Sequence, residues 1–360
     1  MEQILIPKSI TDKILMIGNY YKNNAVGGMA AVIRVYAKHY ESLKYISSWR
    51  DVSLIGKIIY ALSAYTLTFL QLLFIHQIKI VHIHSTSNAS FYRKARFVRI
   101  AKFFNKKVIL HMHSAIFMDF YNNSKNKEYI KETLFMADKL VVLSKSWKKI
   151  FNQLGVPENK IVIINNPVSI PIYLEVEKKK PIRMLFLGDL RERKGVWDIL
   201  KALHKYRENI KDKIEFKIGG NKREEEIKRY IIENDLSDFV TFEGWVANTK
   251  KWELLNWANL MILPSYGEGL PITLLEAMSY SCALISTPVG GIPEILEDGI
   301  NGIMVTPGNT EEIANAIIYY INHPEILKMH GEQSNIKVKA YMPSTVFNQL
   351  TTLYKELLHQ

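Results

Sequence analysis

Two carboxylates, Glu268 and Glu276, lie on either side of a glycine-rich turn and are the residues best suited to do chemistry. Residues 266–278 have the sequence YGEGLPITLLEAM, and the apolar run 260–263 predicts a buried parallel strand before them. The proline suits the first turn of a helix, where its missing N–H costs nothing. Backbone N–H groups at a helix start attract anions, and the glycines let a ligand approach the backbone closely. A carboxylate early in this helix can accept hydrogen bonds from the hydroxyls of a ribose. The segment therefore predicts a nucleotide site.

A second charged cluster, residues 191–195 (RERKG), follows another predicted strand, residues 182–188. Cations at the end of a strand can neutralise the charge that grows on a departing nucleoside diphosphate. The plain alternative is an exposed charge cluster without a function. Lys194 and Arg193 are the candidates for this role, and Arg191 is left open.

The first motif, together with residues 287–295 (TPVGGIPEI), resembles the family 4 glycosyltransferases of the GT-B fold. The resemblance extends over most of the chain and is most specific in its C-terminal half. It implies an α/β protein with two Rossmann-like parallel-sheet domains that face each other across a cleft. It also implies a retaining, hexosyl-type transferase of the bacterial surface-polysaccharide type, which moves a sugar from a nucleoside-diphosphate sugar to a saccharide. The sequence offers no obvious double-displacement nucleophile, so a front-face mechanism fits.

The resemblance assigns roles to individual residues. Glu268 matches a glutamate near the donor sugar, and Glu276 one on the ribose. His113, at the end of a predicted strand, matches a histidine near the reaction centre and is preferred to His111, although a strand histidine is more often a core residue. Catalytic roles are thus expected for His113, Glu268, Lys194 and Arg193. Donor binding is expected for Gly28, Gly188, Val246, Gly269, Leu270 and Glu276. Asn166 and Arg93 are expected to bind the acceptor, with a structural turn as the alternative for Asn166.

One departure from the family pattern concerns Asp189, which stands where family members often carry arginine. Metal is not expected, because the sequence contains no Asp-x-Asp and no histidine or cysteine cluster with zinc-ligand spacing. No cofactor is expected beyond the nucleotide sugar as co-substrate. Two alternatives remain open: a nucleotide-sugar epimerase of the same fold, and a catalytically silent scaffold of a glycan-assembly complex.

Length and composition predict a soluble protein of two α/β domains, with 360 residues, 48% apolar and 23% charged. The single cysteine, Cys282, excludes an internal disulfide and suits a reducing compartment. The N-terminus does not resemble a signal peptide. These observations predict a cytoplasmic location.

Charge is distributed unevenly along the chain. Residues 1–180 contain 27 Lys and Arg and 11 Asp and Glu, a surplus of 16 positive charges, whereas residues 181–360 contain 20 and 24. This asymmetry predicts an anionic partner for the first half. No nucleic-acid motif accompanies the basic residues, so an anionic membrane is favoured over nucleic acid. A peripheral position on the inner face of the plasma membrane and a polyprenyl-diphosphate-linked acceptor would both fit.

Predicted strands cover residues 13–18, 78–84, 107–113, 140–144, 160–167, 182–188, 216–220, 240–244, 260–263, 283–286 and 302–305. They alternate with helices in both halves, which predicts a parallel sheet in each. The first domain is expected over residues 1–175 and the second over 176–343, joined by a proline- and lysine-rich linker. By resemblance, a terminal helix over residues 344–360 returns to the first domain. Residues 58–75 contain no charge, and they predict either a core helix or one that dips into a membrane surface, rather than a spanning helix. The basic helix that begins at Ser90 predicts either a solvated charged face or a membrane-surface helix.

Overall fold

The computed structural model describes residues 4–22, 28–168 and 181–359, and it contains two compact units. The first unit comprises Met1–Pro167 and Pro343–Gln360, and the second comprises Val168–Met342. The expected domain boundary at residues 175/176 lies outside the described residues. Each unit is built on one six-stranded sheet whose strands pair in parallel, which confirms the predicted α/β architecture.

The first unit has strand order β2-β1-β3-β4-β5-β6. Its strands are β1 (Ile14–Gly18), β2 (Lys44–Ser47), β3 (Ile80–Ser85), β4 (Lys107–Met112), β5 (Lys139–Val142) and β6 (Ile161–Ile163). Its first helices are α1 (Lys8–Thr11), α2 (Gly28–His39), α3 (Leu54–Phe74), α4 (Asn88–Phe103), α5 (Phe117–Asn123), α6 (Lys127–Met136) and α7 (Lys145–Gln153). Strands β1 and β3 are buried throughout, as expected for a parallel sheet covered on both faces. Only the short edge strand β2 was not predicted.

The second unit has strand order β12-β11-β10-β7-β8-β9. Its strands are β7 (Ile182–Asp189), β8 (Ile214–Asn221), β9 (Val240–Gly244), β10 (Leu260–Leu263), β11 (Ala283–Ser286) and β12 (Gly302–Met304). Its helices are α8 (Val196–Lys205), α9 (Arg207–Ile210), α10 (Glu224–Glu233), α11 (Asn248–Trp257), α12 (Ile272–Ser279), α13 (Ile292–Ile295), α14 (Thr310–Asn322) and α15 (Pro324–Val338). This is the strand order of a dinucleotide-binding fold, and the order reverses between β7 and β10.

The last helix, α16 (Pro343–His359), packs on the first unit. The Tyr354 hydroxyl lies 2.7 Å from that of Tyr40 and 2.6 Å from Nδ1 of His82. Two residues further along the helix, Glu356 forms an ion pair with Lys139 at 2.7 Å. The chain therefore leaves the first unit near residue 168 and completes it again with its final helix.

Helix α4 uses most of its cations inside the first unit. Lys94 is fully buried, and its Nζ donates to the carbonyl oxygen of Gly18 at 2.8 Å. Arg99 pairs with Glu132 at 2.8 Å, and Lys102 pairs with Asp138 at 2.5 Å. The expectation of a basic face turned to solvent or membrane is therefore wrong for Lys94, whereas Arg99 and Lys102 are partly exposed and are bound by carboxylates of neighbouring elements. Arg96 remains exposed.

Candidate functional site

The candidate site lies where the strand order of the second sheet reverses, between β7 and β10. The two strands pair directly, with Met184 opposite Leu260. The loop 190–195 follows β7, and the loop 264–271 follows β10 and leads into α12. Ligands of parallel sheets bind beyond the carboxyl ends of the strands at such a reversal. Both charged motifs of the sequence thus meet at one place in the fold.

An ion pair joins the two loops. Nζ of Lys194 lies 2.5 Å from Oε1 of Glu268, and the hydroxyl of Ser265 donates to the same oxygen at 2.9 Å. The Glu268 side chain is almost fully buried and that of Lys194 mostly so. A charge pair this far from water needs good geometry and a further hydrogen bond to offset desolvation, and Ser265 supplies one. Lys194 is therefore held at the carboxyl end of β7 by Glu268.

Arg193 fastens the same two loops together through the backbone. Its guanidinium donates to the carbonyl oxygen of Gly267 at 2.5 Å, and its own carbonyl accepts from the N–H of Tyr266 at 2.8 Å. Within the described ranges Arg193 forms no ion pair with a carboxylate. Its charge helps to lower the pKa of the nearby Asp189 carboxyl but, among the described residues, is not bound in an ion pair beside the glycine-rich loop.

Backbone donors face the same region. In the described part of the chain, the N–H groups of residues 267–269 have no hydrogen-bond acceptor. Consecutive amides of this kind, next to a helix start and two cations, form an anion site of the type that holds phosphates. The loop, Arg193 and Lys194 can together bind a diphosphate.

Two glycines allow the backbones around this loop to approach closely. Gly195 has φ 74°, and a Cβ there would lie 2.1 Å from the carbonyl oxygen of Pro264. Gly290 has φ 57°, and a Cβ there would lie 1.8 Å from the carbonyl oxygen of Glu268. The neighbouring Gly291 N–H donates to the carbonyl oxygen of Gly269 at 2.7 Å. The loop shape therefore depends on residues without side chains.

Glu276 lies in α12 and is held by a lysine of α11. Nζ of Lys251 lies 2.5 Å from Oε1 of Glu276, and the carboxylate is almost fully buried. The same ammonium group lies 4.4 Å from the centre of the Trp252 ring. Oε2 of Glu276 has no partner among the residues that the structure describes. One carboxylate oxygen is thus fixed, and the other can accept from a ligand hydroxyl.

The other predicted donor residues of the second unit border this site. Gly188 lies near the end of β7, where a Cβ would lie 3.9 Å from Cδ of Lys194. Val246 follows β9 and packs against Gly219 of β8. A Cβ on Gly219 would lie 2.7 Å from Cγ2 of Val246. Leu270 is buried in the loop after β10. These residues line the ends of neighbouring strands.

Comparison with known proteins identifies the family. Residues 33–170 match the model described as Glycosyltransferase Family 4, and residues 174–336 match the model Glycosyl transferases group 1. The chain belongs to the family 4 glycosyltransferases. The resemblance inferred from its motifs is therefore confirmed.

Individual relatives of the family agree with this assignment. An uncharacterized glycosyltransferase of Methanocaldococcus jannaschii is 30% identical over 253 residues, which are 66% of this chain and 64% of that protein. The sucrose-phosphate synthase of Thermosynechococcus elongatus superposes with a TM-score of 0.77 at 16% identity, over 98% of this chain and 99% of that one. HepE of Anabaena, in complex with UDP and glucose, superposes with a TM-score of 0.73 at 15% identity, over 96% and 99%. The fold is that of the GT-B glycosyltransferases.

His113 and its neighbours occupy the corresponding edge of the first sheet. His113 follows β4 and is half-buried, and its Nε2 lies 2.8 Å from Nδ1 of His84. Burial lowers the pKa of His113 to about 3, so the ring is neutral near pH 7. Its Nδ1 has no partner in the described ranges and can meet a ligand. His111, in contrast, is fully buried and lies 3.2 Å from His82.

The remaining first-unit candidates are dispersed. Gly28 begins α2 and is exposed, next to residues 23–27, which lie outside the described ranges. Asn166 is buried in the segment after β6. Arg93 is half-buried on α4, and its buried Nε has no hydrogen-bond partner in the described chain. These three residues thus lie on three different segments of the first unit, and their expected roles stay predictions.

Three buried histidines, His82, His84 and His111, lie close enough for their ring nitrogens to be considered as metal ligands, within 4.8 Å of one another. The spacing along the sequence did not predict this cluster, because it forms across two strands. Its rings are stacked, with interplanar angles of 13–28° between neighbours. Both nitrogens of His82 are already hydrogen-bonded. Because a metal ion must lie near the plane of each ligating ring, stacked rings are poorly arranged to share one, and the cluster is better explained as neutral core packing.

A groove lies in the first unit between the start of α4 and the segment around α5. It is lined by residues that follow β3 and β4, among them Asn88, Tyr92, Asp119, Asn123 and Asn126. Amide and carboxylate groups next to an aromatic ring are the surface that hydroxyl-rich ligands require. The groove is thus the part of the first unit best suited to a saccharide.

Sequence reasoning missed three contributors. Lys251 and Ser265 hold the two glutamates, and Gly195 provides the turn before α8. Only Ser265 has a sequence cue, since it lies three residues before Glu268. The departure at Asp189 is also resolved: its carboxylate binds Arg191 through Nε at 2.8 and 2.9 Å, so Arg191 is engaged by its neighbour.

Proposed function

We propose that this protein transfers a hexose-type sugar from a nucleoside-diphosphate sugar to a hydroxyl of a saccharide acceptor, with retention of configuration and without a metal ion. One observation carries the proposal. Two cations, Lys194 and Arg193, and three unpaired amides lie on the two loops that meet at the strand reversal of the second sheet. That arrangement is complementary to a diphosphate.

The chemistry follows from this complementarity. As the bond between the anomeric carbon and the diphosphate oxygen breaks, negative charge grows on the diphosphate, and preorganised donors stabilise it without reorganisation. In a front-face reaction the acceptor oxygen attacks the anomeric carbon from the side of the leaving group. A departing phosphate oxygen takes the hydroxyl proton, so no protein base is needed. Glu268 can orient the sugar of the donor, and neutral His113 of the first unit can hydrogen-bond to a hydroxyl of a bound saccharide.

Donor binding is assigned to the second unit. Glu276, anchored by Lys251, has one carboxylate oxygen available for the ribose hydroxyls, and Val246 and Leu270 supply apolar surface. The solved structure of HepE, which is described with UDP and glucose, supports a uridine nucleotide as the first donor to test. Cations on the protein can replace the metal ion that holds the diphosphate in other transferases.

Acceptor binding is assigned to the first unit. The groove lined by Tyr92 and Asn123 fits a saccharide, and Arg93, on the same helix as Tyr92, fits an anionic group attached to it. A surplus of positive charge in this unit favours an acceptor linked to a polyprenyl diphosphate at the cytoplasmic face of the plasma membrane. Polysaccharide or glycolipid synthesis is the process that uses such acceptors.

Mass spectrometry with a panel of nucleotide sugars tests the function. The purified protein is incubated with each donor in EDTA, with and without saccharide and lipid-linked acceptors. Transfer of one hexose unit, or slow release of nucleoside diphosphate, is expected from at least one donor. Conversion of a donor to its isomer without acceptor would instead identify an epimerase, and no turnover with any donor would favour a scaffold.

A further inference from the structure

Helix α3 exposes an apolar face. Ten large apolar side chains between Leu54 and Phe74 are each more than 40% exposed, among them Ile58, Ile59 and Leu62. Phe103 of α4 extends this face, is exposed, and stacks on Phe69. Contiguous apolar surface of this kind on a soluble unit marks an interaction site.

The opposite face of α3 is packed, which fixes how the helix lies. Ala64, Thr68 and Leu72 are buried against the first unit. The helix connects β2 to β3, two strands of the same parallel sheet. By length and composition α3 could cross a membrane. Because one side is fixed to the sheet layer, it instead lies along the surface of the unit, with about 31 Å of apolar side available to a flat partner.

The polar groups of the exposed face are already satisfied. Ser63 donates to the carbonyl oxygen of Ile59 at 2.9 Å, and Thr66 donates to that of Leu62 at 3.2 Å. Residues 58–75 contain no Asp, Glu, Lys or Arg. Burial of these two hydroxyls in hydrocarbon therefore leaves neither donor unpaired, and no charged side chain of residues 58–75 is buried with them, which suits the requirement that lipid imposes.

Cations border the face at its ends and along one side. Lys57 lies in the first turn of α3, and Arg96 of α4 lies over the Tyr65 ring at 5.7 Å. Lys79 and Lys106 lie beyond the C-terminal end and form no ion pair within the described ranges. Burial and the nearby charge of Lys79 lower the pKa of Lys106, as expected for two cations without a counterion. An anionic surface would supply that counterion.

The net charge of the first unit decides which partner fits the apolar face of α3. The first unit contains 25 Lys and Arg and 10 Asp and Glu, a surplus of 15 positive charges. A second copy of this chain would bring an equal surplus against the same face. Anionic lipid headgroups beside hydrocarbon match both the cations and the apolar stripe.

We propose that α3 docks in the plane of an anionic membrane surface, with Ile58, Ile59 and Leu62 inserted below the headgroups. The proposal rests on the proposed function for its purpose, since a lipid-linked acceptor would be met at that surface. Its test is independent of turnover.

Vesicle sedimentation of the full chain is the test. The wild-type protein should pellet with vesicles that contain phosphatidylglycerol and far less with pure phosphatidylcholine. The Ile59→Glu/Leu62→Glu variant should lose about tenfold or more of this binding, because two charges enter the apolar face. Ile232→Glu, on an equally exposed isoleucine of α10, is the matched control and should bind like the wild type.

Two further measurements separate the outcomes. A thermal shift with UDP should be the same for all variants, which shows that loss of vesicle binding is not loss of fold or of the nucleotide site. Cys282 is buried, so Leu70→Cys provides an accessible label whose fluorescence should shift to the blue on anionic vesicles. Equal pelleting of the wild type and the double variant would overturn the proposal. A wild-type dimer that Ile59→Glu/Leu62→Glu converts to a monomer would do so too, since a second copy would then be the occupant.

Discussion

Lys194 is the residue on which the proposed chemistry depends most. Replacing it with alanine removes the cation that would stabilise the departing diphosphate, so kcat should fall by about 10²–10³-fold while KM changes little. Steady-state kinetics with the accepted donor measure both constants. Lys201→Ala, on an exposed lysine of α8, is the control. Because the substitution leaves buried Glu268 without its partner, the double variant Lys194→Ala/Glu268→Gln tests whether any loss of stability comes from that carboxylate. Unchanged kcat in a folded Lys194→Ala protein would refute the role.

Lys251 should act on donor binding through Glu276. Glu276→Ala removes the acceptor for ribose hydroxyls, and Lys251→Ala frees the carboxylate to rotate, so both should raise the donor KM, the first by about tenfold or more and the second by less. Neither should lower kcat strongly. The neighbouring Lys250, which pairs with Glu243 instead, provides the matched variant Lys250→Ala. Equal effects of Lys250→Ala and Lys251→Ala on KM would show that the contact to Glu276 is unimportant.

At the scale of the residue, there is a physical reason why the sequence predicts some residues of the site and not others. Glu268, Glu276 and Lys194 lie in local motifs whose residue types and spacing already indicate the chemistry. Lys251 lies 25 residues before its partner Glu276 on a different helix, and nothing in the sequence around it indicates the contact. Contacts between elements are set by packing, which a single sequence does not display.

At the scale of the element, the turns beside the site depend on backbone shape. Gly290→Ala adds a Cβ to a left-handed residue against the carbonyl of Glu268, so the loop must move and donor affinity should fall by about tenfold or more. Isothermal titration with UDP measures the affinity. Gly299→Ala is a control for conformation alone, because Gly299 has φ 73° with nothing within 4 Å of its Cβ. Its stability should decrease by about 1 kcal/mol with UDP affinity unchanged. Wild-type affinity in Gly290→Ala would contradict the supporting role of this turn.

The buried histidines of the paired strands β3 and β4 should make the stability of the first unit sensitive to acid. Burial lowers the pKa of His82 to about 3, with a smaller effect from His113, and the pKa of His84 and His111 is also well below its usual value. Their surroundings are Tyr36, Tyr40 and Tyr354, with the Lys94 charge nearby, and include no carboxylate contact in the described chain.

The sign of the effect follows from these values. The unfolded chain binds protons on these rings below pH about 6.5. In the folded chain the pKa of His82 is about 3, and the pKa values of His84 and His111 are likewise well below their ordinary value, so the folded protein binds these protons only at much lower pH. The contribution of the neutral histidines to the free energy of unfolding is therefore fully present above pH 6.5. It decreases as the pH falls, by up to about 1.4 kcal/mol per pH unit for each ring. Urea unfolding of the first unit at pH 7 and pH 5 should show the loss. His323→Gln, on an exposed histidine, should leave the slope unchanged. A flat profile between these pH values would contradict the buried, neutral assignment.

The same elements show what periodicity can and cannot predict. Alternation of histidines in both strands is visible in the sequence, but the register that sets His84 opposite His111 is not. In α4 the helical spacing of cations was evident, yet Lys94 is buried, and Arg99 and Lys102 pair with Glu132 and Asp138 of neighbouring elements. The spacing of the charges predicts the helix, but the contacts with neighbouring elements decide which of its side chains are exposed to solvent.

At the scale of the whole molecule, the alternation of strands and helices was sufficient to predict the α/β fold class. Buried parallel strands have continuous apolar sequences, so eleven of the twelve strands of the described residues were recognisable, and only β2, short and at an edge, was not. The strand order within each sheet was not recognisable, although it decides where β7 and β10 place their loops. Family resemblance supplied the architecture that local patterns leave open.

The division of charge leads to the last prediction, that nucleotide binding needs no metal ion. The second unit has 22 Lys and Arg against 25 Asp and Glu, so its attraction for a diphosphate must come from locally placed groups, Lys194, Arg193 and the amides of residues 267–269. UDP should therefore raise the melting temperature equally in EDTA and in magnesium, with a stabilisation of about 2.7 kcal/mol at a hundredfold excess over Kd. Four of the six tryptophans, at positions 197, 245, 252 and 257, lie in the second unit, so tryptophan fluorescence reports its transition. The Lys194→Ala/Arg193→Ala variant should lose the shift. A shift that appears only when magnesium or manganese is added would show that the protein cations do not replace the metal.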